Sequence, residues 1–153
     1  MNNNRCVFCG EIIPEGLQVC PACSNLFGEK SRQLVFICSP YSDKDIVKQA
    51  VNIANAKEYC RIAYGRGYLP VAPHLFFPQF LNDNDPTERK IGIGLGKQLL
   101  LKCSKLWICG ERITDGMNEE ILFALNRNIP CERIRNQGAY ALSKGGGFGC
   151  DDL

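Results

Sequence analysis

Leu106-Trp107-Ile108-Cys109-Gly110-Glu111-Arg112-Ile113-Thr114-Asp115-Gly116-Met117-Asn118-Glu119-Glu120-Ile121 passes from a short apolar run, through a polar turn, into residues with helical spacing. A continuous apolar run of this length suits a strand buried on both faces, which is the strand of a parallel sheet with helices on either side. The same pattern recurs upstream. Leu34-Val35-Phe36-Ile37-Cys38 is a second such run, followed by a long amphipathic stretch in which Val47, Ala50, Val51, Ala54, Ala56, Tyr59, Cys60 and Ala63 recur at helical spacing. Ser42 or Asp43 is the expected N-cap, and Gly65 or Gly67 the stop. Tyr68 to Ala72 reads as a strand whose Pro70 marks a bulge or an imperfect edge. Pro86 to Lys102 reads as a helix, Met117 to Asn126 as another, and Ile129 to Ile134 as a weaker edge strand. Alternating strands and helices predict an α/β fold, flavodoxin-like or Rossmann-like, with a parallel sheet of four to five strands and right-handed crossovers.

The polar segments Ser39-Pro40-Tyr41-Ser42, Pro73-His74 and Glu111 to Glu120 each follow a strand. Open α/β sheets bind ligands beyond the carboxyl ends of their strands, so the three segments are expected to converge on one rim and form one site. A carboxylate in the first turn of a helix is also favoured by the unpaired amides and the dipole there. On spacing alone Glu119 and Glu120 are equal candidates. His74, the only histidine, reads as a hydrogen-bonded pocket residue rather than a metal ligand. Arg89 is a helix charge that could reach a ligand phosphate. Gly92-Ile93-Gly94-Leu95-Gly96-Lys97 lacks the spacing of a phosphate loop and does not follow a strand, which leaves close helix packing as its reading.

Composition divides the chain. Ten cysteines occur in 153 residues, four of them as Cys6-x-x-Cys9 and Cys20-x-x-Cys23. Two such pairs present four soft ligands to a tetrahedral metal and predict a closed structural zinc ribbon, in preference to a rubredoxin-like iron site or a redox dithiol. Ile12, Ile13, Leu17 and Val19 lie on the hairpin between them and are too few to form a core alone, so the metal is expected to supply most of the folding free energy. Residues 1–31 are therefore expected to form the ribbon and its linker, with Ser24 to Arg32 as linker, residues 32–136 the α/β domain, and residues 137–153 a flexible Gly-rich tail. The N-terminus lacks an apolar targeting segment and no apolar run is long enough to span a bilayer, which predicts a cytoplasmic protein with no membrane partner. The formal charge of +2 falls close to zero once four thiolates surround a divalent ion, so charge gives no footprint for nucleic acid.

Phe36-Ile37-Cys38-Ser39-Pro40-Tyr41, Val71-Ala72-Pro73-His74-Leu75, Cys103-Ser104-Lys105-Leu106-Trp107-Ile108-Cys109-Gly110 and Gly116-Met117-x-x-Glu120-Ile121-x-x-Ala124 occur in that order. Together they resemble the nucleoside 2-deoxyribosyltransferase-like superfamily, particularly its phage- and bacterium-associated branch, over about Gln33 to Ile134. The resemblance implies a flavodoxin-like sheet and a nucleoside, nucleotide or nucleotide-derived ligand. It favours Glu120 over Glu119 as a nucleophile that attacks the anomeric carbon, for base exchange or hydrolysis. It also implies ligand contacts from Ser39, Tyr41, Ser42, His74, Arg89, Ser104, Gly116 and Met117, and a homo-oligomer. Many catalytic members of that superfamily carry an aspartate where this chain has Ser104, which raises binding without turnover as an alternative; a zinc-ribbon adaptor for protein or nucleic acid is a third reading.

Overall fold

The structure is a computed structural model that describes residues 4–28 and 32–135. The expected tail lies outside the described residues. The chain divides into two compact units, Met1–Arg32 and Gln33–Leu153.

In the first unit, Arg5 and Ile12 form an isolated antiparallel bridge. Helix α1 follows at Pro21–Phe27, capped by the Cys20 sulfur, which accepts from the Cys23 amide. This corrects the expectation of a linker from Ser24 onward. Proline at the first helical position and a capping acceptor before it suffice to start a turn, and Gly28 at φ 86° ends it. Of the four apolar hairpin residues, Ile13 and Val19 join Cys6, Cys20 and Cys23 in a small core, while Ile12 and Leu17 stay exposed.

The second unit contains β1 (Leu34–Cys38), α2 (Ile46–Gly65), β2 (Leu69–Val71), α3 (Pro73–Phe76), a 3₁₀ turn at Phe77–Gln79, α4 (Pro86–Leu100), β3 (Lys105–Cys109), α5 (Asp115–Asn126) and β4 (Cys131–Ile134). The four strands are all parallel, in the order β2-β1-β3-β4. The two most apolar strands thus take the centre, and Pro70, which has no amide to donate, falls on the edge strand β2.

Alternation along the central strands covers both faces. Phe36, Cys38 and Leu106 pack with Leu100, Met117, Ile121 and Ala124 of α4 and α5. Val35, Ile37, Trp107 and Cys109 face the other way, onto Tyr59 and Ala63 of α2. The N-cap of α2 is Asp45, whose carboxylate accepts from the Val47 amide. Neither Ser42 nor Asp43 serves. Val47 and Ala50 are exposed, and the apolar face of α2 is first fully buried at Ala56. The short helix α3 and the 3₁₀ turn were not legible as periodic segments, since four residues and three residues are too few to show a period.

Candidate functional site

At the carboxyl end of β1 the backbone leads through Ser39, which is buried, to Tyr41 and Ser42. At the carboxyl end of β2 it turns at Pro73 into α3 and brings in His74. At the end of β3, Gly110 adopts φ 91°, where a Cβ would stand 3.1 Å from the Pro40 ring. Only glycine combines that backbone angle with so close an approach. The chain then enters α5 through Thr114, whose hydroxyl accepts from the Met117 amide.

These segments enclose a cavity of about 270 Å³. Ser39, Tyr41 and Ser42 form one wall, and Pro73, His74, Phe77 and Pro78 another. Arg89, Gly92, Ile93 and Gly96 present one face of α4, and Thr114 to Met117 with Glu120 present α5. A second, open pocket of about 570 Å³ adjoins it and shares Tyr41, Ser42, Pro78 and Asp83 as a common wall.

Glu120 and Glu119 take different positions. Met117, Ile121 and Ala124 form the buried stripe of α5, and Glu120, three residues beyond Met117, shares that side of the helix and lines the cavity. Glu119 is exposed and pairs with Lys97 at 3.5 Å outside the cavity. Helix α5 starts at Asp115, so Glu120 stands in its second turn rather than its first. The helix dipole fades within the first turn, and burial prevails. The Glu120 carboxyl is pushed up to about 7, by desolvation first, against a lowering hydrogen bond from Cys38, with the charge of Glu119 raising it further. Burial thus moves its titration from the acid range toward neutral pH. The expectation of a carboxylate held charged by the helix terminus is therefore corrected.

Ser39 Oγ and His74 Nε2 exchange a hydrogen bond at 2.9 Å. Burial pushes the imidazole down to about 4, so His74 is neutral at physiological pH. It offers one donor and one acceptor rather than a charge. Tyr41 meets the imidazole edge-on, with ring centroids 6.1 Å apart.

Seven of the eight expected ligand contacts thus line one cavity. Ser104 does not. It precedes β3 and lies at the amino end of the sheet, where its hydroxyl donates to the Leu34 carbonyl at 2.9 Å and its own amide bonds the same oxygen. A residue before a strand sits one strand length from a rim formed by the residues after it, so its identity carries no information about this cavity. Sequence reasoning missed Asp83, Asp115, Gly96 and Cys38. Gly96 was detectable: Arg89, Gly92, Ile93 and Gly96 share one face at helical spacing. A Cβ at Gly96 would stand 3.8 Å from Glu120 Oε1, so this glycine gives α5's carboxylate its space.

In the first unit the sulfur atoms of Cys6, Cys9, Cys20 and Cys23 lie within 4.8 Å of one another, and Cys9 and Cys20 are 3.7 Å apart. A tetrahedral ion with metal–sulfur bonds of about 2.3 Å spaces its ligands about 3.8 Å apart. The four cysteines can therefore hold a metal ion. Hydrogen bonds to knuckle backbone, first that of Cys20, bring the Cys6 thiol down to about 6, whereas burial first and the neighbouring thiols next push Cys23 up to about 12, so the crowded sulfurs do not all ionise without a cation between them. The described cysteines are free thiols.

A family model, the domain of unknown function DUF7768, matches residues 33–134. The chain belongs to that family. The DUF7768 domain spans all four strands and every residue of the cavity, and it excludes the cysteine module. Comparisons with curated proteins and with solved structures gave no match. Among the described residues of the DUF7768 domain and the module, no helix is long and apolar enough to cross a membrane.

Proposed function

We propose that the DUF7768 domain binds a nucleoside, nucleotide or nucleotide-derived ligand in the rim cavity and cleaves or exchanges its N-glycosidic bond, with Glu120 as nucleophile. The observation that carries this reading is a half-buried carboxyl facing a cavity at the carboxyl ends of β1 and β3, beside a Ser39–His74 hydrogen bond. In a double displacement, the ionised Glu120 oxygen bonds the anomeric carbon as the bond to the base breaks. A second base, or water, then displaces Glu120. Ionisation is required, so turnover rises with pH through about 7, the value to which burial brings this group. Neutral His74, fixed by Ser39, is suited to hydrogen-bond the sugar or the base without adding charge. Arg89 is the cation of the cavity wall, and the adjoining pocket gives room for the part of the ligand beyond the sugar. The resemblance to the nucleoside 2-deoxyribosyltransferase-like superfamily supports the same reading, and a homo-oligomer belongs to it.

Incubation of the purified protein with nucleosides, mononucleotides and dinucleotides, beside Glu120→Ala, tests the proposal. Free base from the wild type alone supports it; equal activity in the variant overturns it. Binding without turnover is supported by a different observation, since a carboxyl raised to about 7 can donate a hydrogen bond in its protonated form. Recovery of a tightly bound ligand intact would decide for that reading. The four-cysteine module is read as a structural zinc site that orders its own unit.

A further inference from the structure

Cys38 is the last residue of β1 and has no solvent exposure. Its side chain lies on the α4–α5 side of the sheet, in the cluster with Met117 and Ile121. The thiol donates to the Met117 carbonyl oxygen at 3.8 Å, and the Glu120 carboxyl, one helical turn further along α5, lies near enough for the two groups to shift each other's titration. Gly96, with no side chain, occupies another flank of that carboxyl. Burial and the neighbouring carboxylate push the Cys38 thiol up, so it keeps its proton near neutral pH. It therefore has one proton to give and two acceptors within reach.

We propose that Cys38 is a positioning residue for Glu120: when Glu120 ionises, the thiol proton turns from the Met117 carbonyl to the carboxylate and holds the charged side chain toward the cavity. No covalent step is involved. The sulfur is a small, buried donor that solvates the charged state without competing for the ligand. A hydroxyl at the same place would do this more strongly, and a methyl group not at all. The consequence for turnover rests on the reading of Glu120 as nucleophile, but the contact itself is measurable without any substrate.

The test is carbon-13 NMR of the Glu120 side-chain carboxyl, titrated from pH 4 to 10 in the full chain for the wild type, Cys38→Ser and Cys38→Ala, with circular dichroism as the check of fold. The midpoint should fall by about half to one pH unit in Cys38→Ser and rise by a similar amount in Cys38→Ala. Equal midpoints in all three proteins, or shifts of both variants in the same direction as a packing effect would give, overturn the proposal. If Cys38→Ala does not fold, Cys38→Ser alone decides, since a midpoint unchanged or raised contradicts the role. A protein that cleaves no glycosidic bond yet shows opposite shifts retains this inference and loses only the proposed reaction.

Discussion

The cysteine module encloses five buried residues, three of them cysteines, whereas the central strands of the DUF7768 domain carry separate apolar clusters on both faces. One unit has a ligand set in place of a core, and the other has a core that leaves a ligand site at its rim. Their site residues consequently mean different things. Cys6, Cys9, Cys20 and Cys23 can hold a metal ion and, on the proposed reading, serve the fold of the module, while Glu120 is a charge that its domain would be more stable without. The sharpest way to break the comparison is to disable the four-cysteine site. If the site holds the proposed structural zinc, chelation, or Cys20→Ser, should collapse the amide spectrum of residues 4–28, because such an ion supplies on the order of 10–16 kcal/mol. The signals of residues 32–135 should keep their dispersion. Loss of both sets together would show that the two units fold as one.

The next largest effect concerns turnover. Glu120→Ala should lower base release by roughly 10³-fold or more. Glu119→Gln, which removes a surface ion pair with Lys97, should stay within about twofold of the wild type. Initial rates across the nucleoside panel make the comparison.

Stability should move in the opposite direction. The folded-state value of Glu120 is about 7, against an ordinary 4.5, so the native protein binds this proton more tightly than the unfolded chain. Its contribution to stability is then greatest at low pH and is lost as pH rises from about 4.5 through 7. Glu120→Gln should therefore match the wild type near pH 4.5 and exceed it by about 2–3 kcal/mol at pH 8 in urea unfolding. A wild type that gains stability over that interval relative to the variant would contradict the assigned burial.

The smallest effect should be at Ser104. Ser104→Ala removes one exposed hydrogen bond to Leu34, worth at most about 0.5–1 kcal/mol, and should leave turnover unchanged within error.

How far each region was legible follows the same division. The module announced itself because metal ligation demands fixed residue types at fixed spacing, and Cys-x-x-Cys twice over is such a demand. The apolar runs Leu34 to Cys38 and Leu106 to Cys109 were readable because strands covered on both faces have no polar face to interrupt them. The rim was readable in outline, since every segment after a strand reaches it. What escaped were properties that arise only when elements meet. The raised Glu120 comes from the burial that α4 and α5 create together, which outweighs the lowering effect of Cys38 from β1. Gly96 gains meaning only opposite Glu120. Ser104 falls away from the cavity because strand β3 carries the two ends of the Cys103 to Gly110 motif to opposite rims of the sheet.

The central claim is that Glu120 bonds the sugar. Intact-mass and peptide-mapping mass spectrometry, after incubation with a nucleoside panel that includes 2-fluoro sugars to slow the second step, tests it directly. The account predicts a glycosyl mass added to the peptide carrying Glu120, with one equivalent of base released and no adduct in Glu120→Gln. Base release with no adduct on that peptide, undiminished in the variant, would contradict it.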